Sequence, residues 1–192
     1  QYTVSYTATD NSENKTTITR TVTVVNPYNS PNLNGVGKVI YLTFDDGPSS
    51  TITPSLLQIL KEENVKATFF VINHSDSLNY LIKQEYDEGH TVALHSDTHE
   101  YSYVYSSVDN YFNDLTSIQN KVSGIIGIKP NIIRFPGGSS NTVSRKYSPG
   151  IMSILTKEVL NRGFIYFDWN VSSEDAGGAR TASQVYNNVV NN

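Results

Sequence analysis

The chain has no cysteine, no excess of basic side chains and no long apolar run. Without cysteine no disulfide can form, which leaves both a reducing cytosol and a secreted location open. Acidic residues outnumber basic ones by 18 to 14, for a net charge of −4, so the basic footprint of a nucleic-acid-binding protein is excluded. No run of about 18 apolar residues is present, so we expect no membrane span.

The 192 residues are enough for one sizeable domain and a fragment of another. Hydrophobic residues make up 38% of the chain, which is typical of a globular protein rather than a disordered one. No leader peptide is visible at Gln1, where the sequence has the character of the middle of a domain. We therefore expect the natural protein to begin further upstream.

Two stretches of period-two alternation open the chain and predict two strands, at residues 2–9 and 17–24, with turn-forming residues between them. Because a lone hairpin is marginal in water, we expect residues 1–25 to be the last strands of an immunoglobulin-like β-sandwich. The segment resembles the end of such repeats in bacterial cell-surface proteins. A hairpin packed on the main domain is the alternative. Residues 26–37, rich in proline, glycine and asparagine, are predicted to be a linker.

From Lys38 onward, apolar strand patterns alternate with helical ones. Strands are predicted at 39–44, 67–72, 91–94, 132–135 and 164–169, and helices at 53–63, 78–86, 108–122, 151–160 and from 181. The alternation predicts an α/β fold with a parallel sheet covered by helices. The polar residues of interest follow the strands, at the end where α/β barrels place their active sites. A barrel needs more strands than five, so we expect its C-terminal strands to lie beyond Asn192.

Two short segments carry the strongest chemical signal. Asp45 and Asp46 lie where an apolar strand meets a Gly-Pro turn, and two like charges repel there unless a cation is present. Adjacent strand residues point opposite ways, so one aspartate can bind metal while the other faces another partner. His95 and His99 have a spacing used in zinc sites, and a helical turn would put them on one face. We predict a metal site of Asp46, His95 and His99.

Other interpretations of these segments remain open. An aspartate before Gly-Pro commonly starts a turn, and loop histidines are commonly solvated. His95 and Asp97 also match the His-x-Asp element of iron(II) oxygenases, although those sites usually occupy all-β barrels. Of the remaining histidines, His90 is predicted to be structural and His74 has no partner that the sequence identifies.

Two later segments supply further candidates. Arg134 ends a predicted strand and can hold Asp45 in a bidentate pair, and the glycines after Pro136 allow a backbone amide such as that of Gly137 to act as an oxyanion donor. The alternative is a Pro-Gly turn beside a surface arginine. Asp168 and Trp169 together suit sugar stacking or support of a catalytic group, whereas a core tryptophan is the simpler interpretation.

Taken together, segments 43–48, 95–99, 134–137 and 168–169 resemble the first four motifs of the polysaccharide deacetylases, the NodB-homology or carbohydrate esterase family 4 enzymes. The motifs occur in order over residues 38–192. The resemblance implies a distorted (β/α) barrel of the NodB type. It also implies divalent-metal-dependent removal of acetyl groups from N-acetylated glycans or acetylated xylan.

The resemblance also implies a role for each matched residue. The metal, zinc or another divalent ion such as cobalt(II), would be held by Asp46, His95 and His99. Asp45 would be the general base, oriented by Arg134. The substrate would contact Pro136, Gly137, whose amide supports the oxyanion, and Trp169, which lines the acetyl pocket, while Asp168 would support the catalytic acid.

This chain departs from the family pattern in two places. Many members carry an aromatic residue where Gly137 stands, so one substrate contact is lost while the backbone role survives. The fifth motif, Leu-x-His, supplies the family's acid histidine, and we expect it beyond Asn192. As written, the chain is expected to hold metal but to turn over poorly.

The resulting expectation is a metal-dependent deacetylase, secreted or bound to the bacterial cell wall, that acts on peptidoglycan N-acetylglucosamine. Its partner would be an N-acetylated polysaccharide, and we expect a monomer that binds no nucleic acid and does not span the membrane. A xylan or chitin deacetylase is an alternative. A glycan-binding module without catalysis is another, although binding alone needs no base with an orienting arginine.

Overall fold

A computed structural model of the chain describes residues 2–9, 12–22 and 40–191. The chain divides into two compact units, Gln1–Ile40 and Tyr41–Asn192. Among the described residues, every helix is too short or too polar to cross a bilayer.

The first unit contains the predicted hairpin. Strands β1 (Tyr2–Thr9) and β2 (Lys15–Val22) pair antiparallel from Tyr2 opposite Val22 to Thr9 opposite Lys15. The second strand therefore begins two residues earlier than its alternation predicted, and residues 23–24 of that prediction lie outside the described residues. The assignment to an immunoglobulin-like sandwich stays a prediction, and the predicted linker at 26–37 lies outside the described residues.

The second unit is an α/β structure built on one parallel sheet, as predicted. Its five strands lie in the order β3-β4-β5-β6-β7, and each strand is parallel to its neighbours. The strands are β3 (Leu42–Gly47), β4 (Ala67–Ile72), β5 (Thr91–Ser96), β6 (Ile132–Ile133) and β7 (Ile165–Tyr166). The carboxyl ends of all these strands meet at one edge of the sheet, and in α/β proteins ligands bind there.

Helices follow the strands, as the alternating pattern predicted. They are α1 (Ile52–Glu62), α2 (Asn79–Asp87), α3 (Tyr101–Val104), α4 (Val108–Ile126), α5 (Ile151–Asn161) and α6 (Ala182–Val190). Short 3-10 turns occur at Asp76–Leu78 and Val143–Lys146. The sequence analysis missed α3, because four residues are too few to show a helical period.

Four of the five strands predicted for the second unit differ from the structure at their ends, and β5 extends two residues further than predicted, through Ser96. β3 starts at Leu42 and continues through Gly47, so the two aspartates lie within the strand rather than after it. β6 and β7 are two residues long, although the apolar patterns predicted four and six. The chain leaves β6 toward Pro136, whose nitrogen has no hydrogen to donate to a ladder. β7 has a partner on one side only in the part of the chain that the structure describes.

Helix α4 is the longest helix of the described residues and forms one wall of the core. It begins where the Ser107 hydroxyl accepts a hydrogen bond from Asn110 N at 3.0 Å, and it ends at Gly127 with a left-handed φ of 77°. Leu115, Ile118 and Val122 follow the three- and four-residue spacing of one helix face and are at most 2% exposed. The helix is therefore fixed by its apolar face, which leaves other faces for polar contacts.

Glu85 is an exception to the apolar character of this core. It lies on α2 with no exposed surface, and neither carboxylate oxygen has a hydrogen-bond partner among the described residues. Burial raises the pKa of its carboxyl from 4.5 to about 8. The folded protein therefore keeps Glu85 protonated at pH values where the unfolded chain ionises it.

Glu85→Gln tests this assignment through the pH dependence of stability. The wild-type free energy of unfolding should fall as pH rises from 4.5 to about 8, because only the unfolded chain gains the charge in that window. The amide cannot ionise. The free energy of unfolding of the variant should therefore match that of the wild type near pH 4.5 and exceed it above about pH 8. Denaturant unfolding at several pH values measures the difference. The exposed Glu63→Gln serves as the control, and parallel pH curves for wild type and Glu85→Gln would contradict the assignment.

Candidate metal centre

Three side chains converge at the carboxyl edge of the sheet. Asp46 near the end of β3 places Oδ1 at 3.4 Å from His95 Nε2 and at 3.3 Å from His99 Nε2. One ligand atom from each residue lies within 4.8 Å of the other two, so these side chains form a group that could hold a metal ion. The predicted set of Asp46, His95 and His99 is therefore brought together by the fold.

The hydrogen bonding of His95 fixes which ring nitrogen faces this group. Its Nδ1 lies 2.8 Å from the Arg134 carbonyl oxygen, and since a carbonyl can only accept, Nδ1 carries the proton. Burial lowers the pKa of the imidazole, which favours the neutral ring with a lone pair on Nε2. That lone pair faces the Asp46 carboxylate oxygen directly. A cation between the two acceptors would remove their repulsion.

The backbone at two of the three residues has an unusual conformation. Asp46 has a φ of 67° and His99 a φ of 53°, both in the left-handed region. The register of β3 with β4 also shifts between Asp45 and Gly47. Non-glycine residues held in this region cost about 1–3 kcal/mol each, and such residues cluster at functional sites. Here the distortion accompanies the approach of the two side chains to each other.

The geometry of the two histidines differs from the helical turn considered in the sequence analysis. His95 lies on strand β5, and His99 lies in the turn that follows it. The alternative ligand Asp97 is not in the metal group, because its Oδ2 accepts a hydrogen bond from Ser117 Oγ at 2.9 Å. The His-x-Asp interpretation is therefore wrong for this turn.

Arg134 is buried and joins the ends of three strands. Its Nη1 donates to Asp45 Oδ1 at 2.6 Å and to Thr43 Oγ1 at 3.0 Å. Its Nε and Nη2 donate to the carbonyl oxygens of Phe167 and Asp168 at 3.0 and 3.1 Å. The predicted contact with Asp45 is present, but the bidentate geometry was wrong, because the guanidinium divides its donors between β3 and the segment after β7.

A glycine turn follows Arg134. Gly137 has a φ of 74°, and a Cβ built on it would lie 2.8 Å from the Tyr101 hydroxyl oxygen, so a larger residue is disfavoured on both counts. Tyr105 donates from its hydroxyl to the Pro136 carbonyl at 2.7 Å and anchors the start of the turn. The Gly137 N–H has no hydrogen-bond partner within the described residues. It is thus available to an external acceptor, and the interpretation as a plain turn beside a surface arginine does not fit the burial of Arg134.

Asp168 and Trp169 flank the other side of this turn. The Asp168 carboxylate accepts hydrogen bonds from Ser139 N at 2.9 Å and from the Ser139 hydroxyl. Trp169 is 47% exposed, and its ring lies 5.5 Å from the guanidinium carbon of Arg134. The alternative of a core tryptophan is therefore wrong. The role of Asp168 in supporting an acid stays a prediction.

Several residues at the site were not identified from the sequence. Tyr101 packs its ring edge-on against His99 at 5.6 Å, and the His74 Nε2 lies 3.1 Å from the Asp46 carbonyl oxygen. Tyr101 and Tyr105 stand four residues apart just after the second histidine, a spacing that could have marked them. His74 lies in a different segment, so no local pattern reveals its contact. His90 accepts a hydrogen bond from Ala67 N at 3.2 Å and is buried, which is the structural role predicted for it.

Comparison with known proteins assigns the chain to a family. The polysaccharide deacetylase family model matches residues 33–149. The chain belongs to this family, whose structures share its α/β fold with a parallel sheet. It is 37% identical over 161 residues to a peptidoglycan-N-acetylglucosamine deacetylase of Bacillus cereus, a match that covers 81% of this chain and 55% of the relative.

Two further relatives agree with this assignment. A peptidoglycan-N-acetylglucosamine deacetylase of Listeria monocytogenes is 38% identical over 140 residues, which cover 72% of this chain and 27% of the relative. The crystal structure of the catalytic domain of a peptidoglycan N-acetylglucosamine deacetylase from Eubacterium rectale superposes with a TM-score of 0.78 at 46% identity. That match covers 89% of this chain and 74% of the other. The chain spans about half or less of the curated relatives described here.

Asp46→Asn and Asp97→Asn together test the composition of the metal group. Asp46→Asn removes the only carboxylate of the group, so zinc affinity should fall at least about tenfold. Asp97→Asn changes a carboxylate that lies between the two histidines but contacts Ser117 instead of the metal group. The zinc affinity of this variant should stay close to that of the wild type. Calorimetric titration of the metal-free chain with zinc measures both. A larger loss in Asp97→Asn than in Asp46→Asn would contradict the group.

Proposed function

We propose that this chain is the catalytic part of a metal-dependent hydrolase that removes N-acetyl groups from a cell-wall glycan, with peptidoglycan N-acetylglucosamine as the substrate. One observation carries the proposal. The metal group of Asp46, His95 and His99 lies beside a second carboxylate, Asp45, that a buried arginine orients. The names of the family relatives support the substrate.

The donor set of the metal group fits a divalent ion such as zinc or cobalt(II). Two imidazoles and one carboxylate are typical ligands of zinc in hydrolases, and they leave coordination positions open for water and substrate. The neutral His95 ring is already in the ligand form. When bound, the ion supplies Lewis-acid polarisation of the acetyl carbonyl and makes water more acidic.

Asp45 is the base of this proposal. It precedes Asp46 on β3 and is partly exposed, with 28% of its side-chain surface accessible, so water can reach it. The contact from Arg134 Nη1 to its Oδ1 holds the carboxylate in place. The carboxylate accepts a proton from the water that attacks the acetyl carbon.

The glycine turn provides the second element of the mechanism. The free Gly137 N–H can donate to the oxygen that becomes negative when water adds to the carbonyl. The half-exposed Trp169 provides a surface for the acetyl group and the sugar, whereas Pro136 is buried and offers the substrate little contact. By the family resemblance, a histidine of the family's fifth motif donates the proton to the departing amine, and Asp168 would support it.

The same resemblance leads to proposals about architecture and location. We propose a distorted (β/α) barrel over residues 38–192, preceded by the end of an immunoglobulin-like domain at 1–25 and a linker at 26–37. A peptidoglycan substrate requires a protein that is secreted or held at the cell surface. We expect it to act as a monomer, because the metal group and the base come from one chain.

Asp45→Asn tests the base. The amide cannot accept the proton, so acetate release from N-acetylglucosamine oligomers should fall by about 10²–10⁴, while zinc affinity stays near that of the wild type. The measurement compares acetate release after metal stripping and after zinc is restored. The exposed Asp87→Asn on α2 is the control. Normal acetate release in Asp45→Asn would refute the assignment.

The same assay separates the competing functions. Acetate release that disappears on stripping and returns with zinc supports the metal-dependent deacetylase. Release from acetylated xylan or chitin oligomers alone would replace peptidoglycan as the substrate. Glycan affinity that a chelator leaves unchanged, with no release from any of these glycans, would favour the binding module.

A further inference from the structure

A polar row on helix α4 contacts the loops at the carboxyl edge of the sheet. The row consists of Asp114, Ser117 and Lys121, whose spacing of three and four residues places them along one side of the helix. Each of the three hydrogen-bonds a residue of the loop after β4 or the end and turn of β5. The helix therefore contacts both loops next to the metal group with side chains that are not ligands themselves.

Asp114 makes the densest of these contacts. Its Oδ2 accepts from Ser96 Oγ at 2.6 Å and from Asp97 N at 2.8 Å. Its Oδ1 accepts from Thr98 N at 2.8 Å and from Thr98 Oγ1 at 2.7 Å. The residue is only 4% exposed, so these donors replace the water that an ionised carboxylate loses on burial.

The three residues held by Asp114 form the whole connection between the two histidines of the metal group. Ser96, Thr98 and the residue between them separate His95 from His99. Ser96 Oγ also accepts a hydrogen bond from His99 N at 2.9 Å, at the residue whose backbone is left-handed. Asp114 thus acts on the His99 backbone through Ser96, and its four hydrogen bonds oppose the conformational cost at that residue.

Lys121, the last residue of the row, contacts the loop on the other side of the metal group. Lys121 Nζ donates to the His74 carbonyl at 2.6 Å and to Asp76 Oδ1 at 2.8 Å. The His74 ring in turn lies 3.1 Å from the Asp46 carbonyl oxygen. One helix face is therefore connected to the turn between the two histidines and, through His74, to the backbone of the aspartate.

We propose that Asp114 is the positioning residue of the metal group. It holds the turn between His95 and His99 in the conformation that directs both imidazoles toward Asp46 before any metal arrives. Its carboxylate is fully occupied by the turn and is not one of the three ligands. Since the inference concerns the proposed metal site, it rests on the proposed function.

Asp114→Asn is the direct test, made in the full chain. One of the two oxygens becomes an NH₂ group that faces donors, so half of the contacts to the turn are lost. Zinc affinity of the metal-free chain should fall by about 10- to 100-fold, the usual cost of changing residues behind the ligands. The visible absorption of bound cobalt(II) should change as well, because that spectrum reports ligand geometry and a merely structural role would leave it alone.

Asp109→Asn provides the matched control. The residue is an exposed aspartate in the first turn of the same helix, and the substitution is chemically identical. Its zinc affinity and cobalt(II) spectrum should equal those of the wild type. A folded Asp114→Asn that also equals the wild type in both measurements would overturn the inference.

A second variant covers the case in which Asp114→Asn does not fold. Thr98→Val removes one donor to Asp114 and keeps the backbone N–H, so a smaller loss of zinc affinity is expected. Unchanged affinity in that variant would overturn the inference. A wild-type chain that binds neither zinc nor cobalt(II) would overturn the proposed metal function and this inference with it. Wild-type binding that Asp114→Asn and Thr98→Val retain in full would overturn the inference alone.

Discussion

The site depends on one buried, positively charged side chain. Arg134 follows β6, yet it donates to Asp45 and Thr43 on β3 and to carbonyl oxygens after β7, the two outer strands of the sheet. Both edges of the sheet therefore lie within reach of a single guanidinium group. Burying such a charge is costly unless its donors are satisfied. Here four of its five N–H donors have acceptors, and the Phe70 ring covers the guanidinium at 4.1 Å.

The metal group differs from Arg134 in this respect, because it brings hydrogen-bond acceptors together and contains residues with a strained backbone. Asp46 and His99 both have left-handed backbones, and the lone pair of His95 faces a carboxylate oxygen. Without a cation this arrangement is unfavourable, so other contacts must maintain it. They come from outside the group, since Asp114 holds the histidine turn and His74 contacts the Asp46 carbonyl. The contacts that maintain the site therefore come from the residues around the ligands.

The sequence was informative where function follows from position on a strand. Parallel strands end at the same edge, so the sequence alone predicts that Asp46, His95 and Arg134 lie close together. The conformation at His99 and the role of Asp114 could not be predicted, because both depend on contacts between distant segments. The same reason explains the short β6 and β7, whose apolar residues predicted longer strands than their neighbours allow. Local patterns thus identified the candidate residues of the site but not the residues that hold them.

The adjacent aspartates show why a common turn sequence can carry chemistry. Asp45 and Asp46 would repel each other if both faced solvent on one side. The pleat of β3 and the register shift after Asp45 send them to different partners, one to a guanidinium and the other toward two imidazoles. Each carboxylate therefore has its own counter-charge or ligand environment. A single strand end can therefore present both the proposed metal ligand and the proposed base, because neighbouring residues on a strand point in opposite directions.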